Sequence, residues 1–251
     1  MKKNKSKSQS GAQLKTELKT LAKSQSSKPG KPVAAPKHIT YSAEDILNHV
    51  LPTPMMPNGL TAPEKIEKIT EKFTEIMEIL GLDLTDDSLK DSPRRVAKMY
   101  VNEIFSGLNV EKFPRMTVIE NKMQYDQMIC VSGISTLSFC EHHFLTIDGV
   151  ATVAYIPNKK VIGLSKINRV VQFFSRRPQV QERLTKQIAD CLQYVLDTEH
   201  VAVHINARHY CVIARGIEDT QSSTVTTEVR GDFRNNVPTR EEFLQQCRRA
   251  P

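Results

Sequence analysis

No stretch of this 251-residue chain approaches the run of about 18 or more apolar residues that a membrane span needs. The lysine-rich beginning is not followed by the apolar segment of a signal peptide, so the expectation is a cytoplasmic protein with no membrane contact. The five cysteines, Cys130, Cys140, Cys191, Cys211 and Cys247, are odd in number and show no CxxC spacing, which argues against a disulfide scaffold. A GxxxxGK[ST] loop is missing too, which excludes the usual phosphate cradle, and there is no internal repeat.

Acidic residues are nearly absent from the first 38 positions, which hold ten Lys, no Arg and only Glu17. That segment carries +9 of an overall +7 and leaves the rest of the chain at −2. A basic tail on a nearly neutral body argues against a folded surface that tracks phosphate backbones, so no nucleic-acid partner is expected. Residues 1–40, rich in Lys, Ser, Gln, Pro and Ala, offer too few large apolar groups to offset the entropy of ordering and read as a disordered tail. Leu14, Leu18 and Leu21 recur there at helical spacing, but three leucines bury too little area for stable anchoring.

Hydrophobic residues make up 39% of the chain, enough to build a core. From Ala62, the series Ile66, Ile69, Phe73, Ile76, Met77 and Leu80 keeps a 3.6-residue period and stops at Gly81, predicting a helix. A second helix is predicted with Ser92 as N-cap and Pro93 at its first position, running through Val96, Met99, Tyr100 and Ile104 to Gly107. These define an N-terminal helical region, 41–112. Beyond it, 113–251 reads as the catalytic domain. Strands are predicted at 116–120, 128–131 and 150–156, then helices at 166–175 and 180–196. Strands at 200–207, 210–215 and 224–229 follow, and a last helix in which Thr239 and Glu242 form a capping box. The order gives an α+β fold with a largely antiparallel sheet. Cys191, in the apolar series Ile188, Leu192 and Val195, reads as a core residue.

Cys140 and His143 stand three residues apart, close enough to reach one metal from a single turn of backbone. His209 and Cys211 stand two apart on a segment read as extended, which puts both on one face of a strand. If these segments meet, Cys140, His143 and Cys211 offer two thiolates and an imidazole, a set that suits Zn²⁺ and leaves a fourth position open for catalysis. Such a site can lower the pKa of water to about 7. His142 and His209 are then free for proton transfer, although both also fit a structural role in packing or hydrogen bonding. A basic series includes Lys166, Arg169, Arg176, Arg177, Arg183 and Arg215, with Arg94, Arg95 and Lys98 on the earlier helix. Most helical Lys and Arg are solvated, and a polyphosphate needs several to converge. Without a phosphate loop, a nucleotide enzyme is expected to act on the base or sugar rather than the γ-phosphate.

From Cys140, the segment CEHHFLTIDGVATVAYIPNKKVIGLSKINRVVQFFSRRPQVQERLTKQIAD, followed by HYCVIARGIED from His209, resembles GTP cyclohydrolase I of the bacterial and animal type. The resemblance runs from about Ala62 to Arg249 and includes SPRRVAKMYVNEIFSGL and TREEFL. It implies the tunnelling fold, an antiparallel four-stranded sheet with a helix pair between its second and third strands. It also implies a toroidal homodecamer whose active sites are shared between subunits. The family's zinc ligands fall on Cys140, His143 and Cys211, and its proton-transfer histidines on His142 and His209. Its purine-anchoring glutamate falls on Glu182. Its triphosphate contacts fall on Arg95, Lys98, Ser165, Lys166, Arg169 and Arg215, some from a neighbouring subunit.

The implied reaction is hydrolytic opening of the GTP imidazole ring at C8, release of formate and rearrangement to 7,8-dihydroneopterin triphosphate, the first step of tetrahydrofolate or pterin biosynthesis. Two other readings compete. Another tunnelling-fold enzyme acting on a pterin or deazapurine is not expected to keep the zinc trio. A non-catalytic GTP-binding scaffold is disfavoured by the presence of both histidines.

Overall fold

The computed structural model describes residues 38–249. The expected tail, with Leu14, Leu18 and Leu21, lies outside the described residues as far as position 37. Strand β1 (His38–Tyr41) leads into a short helix α1 (Ala43–Leu47), then α2 (Ala62–Ile79) and α3 (Ser92–Met99). The strands and helices that follow are β2 (Met116–Glu120), β3 (Ile129–Cys140), β4 (Thr146–Tyr155), β5 (Lys160–Ile162), α4 (Leu164–Ser175), β6 (Pro178–Gln179) and α5 (Gln181–Leu196). The chain closes with β7 (Val201–His209), α6 (Tyr210–Ile213), β8 (Thr224–Val229), α7 (Asp232–Asn235) and α8 (Val237–Arg249).

The main sheet has the order β6-β3-β4-β7-β8, its four longer strands antiparallel and β6 parallel to β3. A second sheet, β1-β2-β5, is antiparallel throughout. The α+β class is as expected, with α4 and α5 between the second and third of the four long strands; the fifth short strand and the second sheet go beyond the expectation. Alternation along β4 and β7 assigns each face. Val153, Tyr155, Val203 and Ile205 join Ile167, Val170, Phe174, Leu184, Ile188, Cys191 and Leu192 of the two helices in one buried cluster. Each large apolar side chain fully buried there contributes about 1.5–3 kcal/mol. The neighbours Ala154 and Ala202 pack instead with Phe233 of α7 and Phe243 of α8.

Several elements differ from the sequence reading. The strand expected at 128–131 runs from Ile129 to Cys140, and its second half carries no apolar-in alternation because Thr136 and Ser138 are buried while Leu137 is exposed. It bulges between Val131 and Ile134, where Gly133 takes a φ of 70° that other residues disfavour. Asp91, not Ser92, occupies the N-cap of α3, and after Met99 the helix widens into a π-turn over Tyr100–Ile104. The stretch expected to be a strand at 210–215 begins with the single helical turn α6. Helix α8 starts two residues before Thr239, whose N–H is taken by Asn236 Oδ1 at 3.2 Å, so the predicted box does not form. A box of that kind closes at α2 instead, where the Glu64 carboxylate accepts from the Thr61 N–H and hydroxyl at 2.8 and 2.6 Å. The apolar stripe of α2 is only partly covered: Met77 is buried, but Ile76 and Leu80 are 46% and 70% exposed.

Candidate metal centre and active site

Three elements end at the same edge of the main sheet. Strand β3 stops at Cys140, and parallel pairing sets Cys140 opposite Gln179 of β6, with the Glu141 N–H donating to Gln179 O at 3.0 Å. Two residues later α5 opens with Gln181 and Glu182. On the other side Ile147, near the start of β4, pairs with His209, the last residue of β7. Between β3 and β4 the chain turns tightly. Cys140 N–H donates to Leu145 O and Phe144 N–H to Cys140 O, both at 2.8 Å. Phe144 takes a left-handed φ of 55°, costly for a side chain with a Cβ. Its ring is held edge-on by Tyr100 and Phe105, at 6.2 and 5.2 Å between centroids, and this packing offsets the strain. The turn carries Glu141, His142 and His143.

Within this arrangement a thiol or ring nitrogen from each of Cys140, His143 and Cys211 lies within 4.8 Å of the other two. Two bonds of about 2.3 Å meeting at a tetrahedral angle hold their donors roughly 3.8 Å apart, so the three donors need draw together by about 1 Å to share an ion. Cys211 reaches the cluster from the first turn of α6 rather than from an extended strand. Burial pushes its thiol pKa up, and hydrogen bonding and repulsion from Cys140 push it further. A cation between two such sulfurs relieves that cost, so the donor set fits a zinc ion.

The proton-transfer candidates flank the cluster. His142 Nδ1 lies 3.6 Å from Cys140 Sγ. His209 is half-buried, and burial lowers its pKa, with the Glu182 charge opposing the shift. Its Nε2 lies 2.7 Å from Gln181 Oε1. Glu141 receives the Arg183 guanidinium at 2.5 and 3.3 Å, and this contact holds its carboxyl below the usual range. Arg215 donates from Nη1 to His143 Nε2 at 2.8 Å.

The expected substrate residues divide into two groups. Arg215 touches the cluster, and Glu182 lies close enough to His209 to act on its charge. Ser165, Lys166 and Arg169 sit at the start of α4, whose far end leads into β6. From Ser165 to Ser175 the helix rises roughly 15 Å, and it is its far end that leads into β6, the strand paired with Cys140. Lys166 Nζ donates to Arg115 O at 2.5 Å. Arg95 and Lys98 are exposed on α3, with Arg95 3.8 Å from Asp91.

Sequence reasoning missed Gln181, Phe144 and the Glu141–Arg183 pair. Gln181 adjoins Glu182, but its partner lies 28 residues onward and no local pattern signals the contact. Arg183 was one of many helical cations, and only the parallel β3–β6 pairing brings it to Glu141.

Residues 69–248 match the sequence model of a family described as GTP cyclohydrolase I. Among curated relatives, the GTP cyclohydrolase 1 of Shewanella sp. (strain ANA-3) is 59% identical over 198 residues, covering 79% of this chain and 92% of the relative. That of Shewanella amazonensis is 58% identical over 203 residues, 81% of this chain and 94% of its own length. That of Shewanella baltica is 55% identical with the same coverage.

Proposed function

This chain belongs to the GTP cyclohydrolase I family, and on that premise we propose that the Cys140, His143 and Cys211 cluster is the zinc centre at which GTP is hydrolysed. The protein is an enzyme, a hydrolase that acts on GTP. The reaction opens the imidazole ring, releases C8 as formate and rearranges the remainder to 7,8-dihydroneopterin triphosphate, the entry to tetrahydrofolate or pterin synthesis. The observation that carries the reading is the convergence of three soft donors within 4.8 Å from segments 68 residues apart.

Zinc bound there supplies a Lewis acid and lowers the pKa of water to about 7. The rest falls to the chain itself. Glu182 accepts two hydrogen bonds from guanine N1 and the 2-amino group and so fixes the purine edge. His142 and His209 exchange protons with the nitrogens of the opening ring as the C8–N9 bond breaks. Arg215 holds phosphate beside the cluster, joined by Arg95, Lys98, Ser165, Lys166 and Arg169.

The length of α4, which puts Ser165 and Lys166 at the end opposite β6 and Cys140, supports a site shared between subunits, as in a toroidal homodecamer. Exposed Ile76, Ile79 and Leu80 and the edge position of β8 among the described strands support such assembly. Four antiparallel strands with a helix pair after the second support the tunnelling fold. No helix of the described residues is long and apolar enough to cross a membrane, in keeping with the proposed cytoplasmic location. Residues 1–40 are proposed to lie outside catalysis, with 41–112 a helical region preceding a catalytic domain at 113–251.

The test is formate release and pterin fluorescence from GTP by the zinc-loaded and zinc-stripped protein. Both products are expected only from the loaded form. GTP recovered unchanged from the loaded enzyme overturns the reading.

A further inference from the structure

Gln181, the first residue of α5, is 1% exposed, and both polar atoms of its side-chain amide have partners. Its amide nitrogen lies 3.1 Å from Ile205 O, 2.9 Å from Thr224 O and 3.1 Å from Thr226 Oγ1. Its amide oxygen lies 2.7 Å from His209 Nε2. Two of the nitrogen's three partners are backbone carbonyls, which only accept. The amide therefore sits one way round, with NH₂ toward β7 and β8 and oxygen toward His209. An amide oxygen likewise only accepts, so the ring nitrogen facing it must carry hydrogen.

We propose that Gln181 is a positioning residue that locks the His209 ring with Nε2 as donor and leaves Nδ1 as the nitrogen presented to the purine. The inference rests on the proposed catalytic role of His209. In this tautomer Nδ1 carries a lone pair, so it takes a proton from water and passes that proton to the opening imidazole ring, while Nε2–H stays donated to Gln181 throughout. The lock is anchored from three elements. Thr185 Oγ1 donates to Gln181 O at 2.8 Å within α5, and it lies 2.6 Å from Thr226 Oγ1 of β8. The two carbonyls that orient the amide belong to β7 and β8. Fixing a ring through the nitrogen that does no chemistry is how outer hydrogen bonds set the orientation and tautomer of working histidines, and losing one costs about 10- to 100-fold in activity or metal affinity.

The experiment compares Gln181→Met, Gln181→Glu and His209→Asn in the full-length, zinc-loaded enzyme. Gln181→Met keeps the volume and removes the acceptor. Its kcat is expected to fall about 10- to 100-fold while KM for GTP stays within about twofold and zinc remains stoichiometric. Gln181→Glu, protonated in this buried setting, again accepts from Nε2–H. It is expected to recover kcat to within about fivefold of native despite a lower melting temperature than the Met variant. A purely structural role gives the opposite order, with activity following stability. Nitrogen NMR of histidine-labelled protein, with the His209 signals identified by their loss in His209→Asn, is expected to show Nε2–H alone in the native enzyme and a tautomer mixture in Gln181→Met. Native kcat in Gln181→Met, a loss confined to KM or zinc content, or a Glu variant no better than Met overturns the proposal. His209→Asn separates the two readings: full activity there removes the catalytic role itself, whereas an inactive Asn variant beside a fully active Met variant removes only the lock.

Discussion

Arg183 grips Glu141 through two N–H···O contacts of 2.5 and 3.3 Å across 42 residues of sequence. The pair ties the turn that carries His142 and His143 to the first turn of α5, which carries Gln181 and Glu182.

Both side chains are less than a third exposed, so removing one leaves the other charge poorly solvated. Arg183→Leu is expected to cost roughly 1–3 kcal/mol at pH 7, measured as a shift in urea midpoint of the zinc-loaded protein. Arg183 lowers the Glu141 pKa in the folded state, so the native protein binds that proton more weakly than the unfolded chain. The stabilisation is therefore complete above the ordinary carboxylate pKa of about 4.3 and fades as pH falls through the lowered native value. The gap between native and variant should narrow in that acidic range. A gap of equal size at pH 7 and at the acid end would mean that lost packing, not charge, is responsible.

Cys211→Ser exchanges a soft sulfur for a hard oxygen at the proposed zinc ligand most distant in sequence from the other two. Zinc content and turnover are expected to disappear together, read by metal analysis and formate release. Zinc retained at full occupancy with activity lost would show that Cys211 is not a ligand.

Gly107 lies where the turn after α3 meets the end of α4, its N–H donating to Arg176 O at 2.9 Å. A Cβ there would stand 2.2 Å from Phe173 O and 2.8 Å from Arg176 O, both backbone atoms that cannot swing aside. Gly107→Ala is expected to destabilise by about 1–3 kcal/mol or more in a urea titration. Wild-type stability would mean that this contact is looser than the packing indicates.

Much of this molecule was legible in residues close together along the chain. The period of Ile66, Ile69 and Phe73 marked α2, and the β-branched runs at 116–120 and 224–229 marked β2 and β8 at their observed limits. The nearness of Cys140 and His143 was readable from their spacing, because one backbone turn suffices to join them, whereas their meeting with Cys211 was not. The long strand β3 was half hidden, since Ser135, Thr136 and Ser138 carry no apolar signal. Tyr210 to Ile213 read as strand because their side chains favour one, yet they form the turn of α6 that carries Cys211 to the cluster.

By itself the sequence determined the chemistry on offer: two thiols, three histidines, one glutamate and the cations around them, together with the helices and strands whose periods are local. The tertiary structure alone decided which of these meet. The parallel pairing of β3 with β6, the register that sets Ile147 against His209, and the carbonyls that orient Gln181 all join segments tens of residues apart. Backbone hydrogen bonds look the same whatever side chains they carry, so the distances that make a site out of a residue set are settled only when the whole sheet and its helices pack.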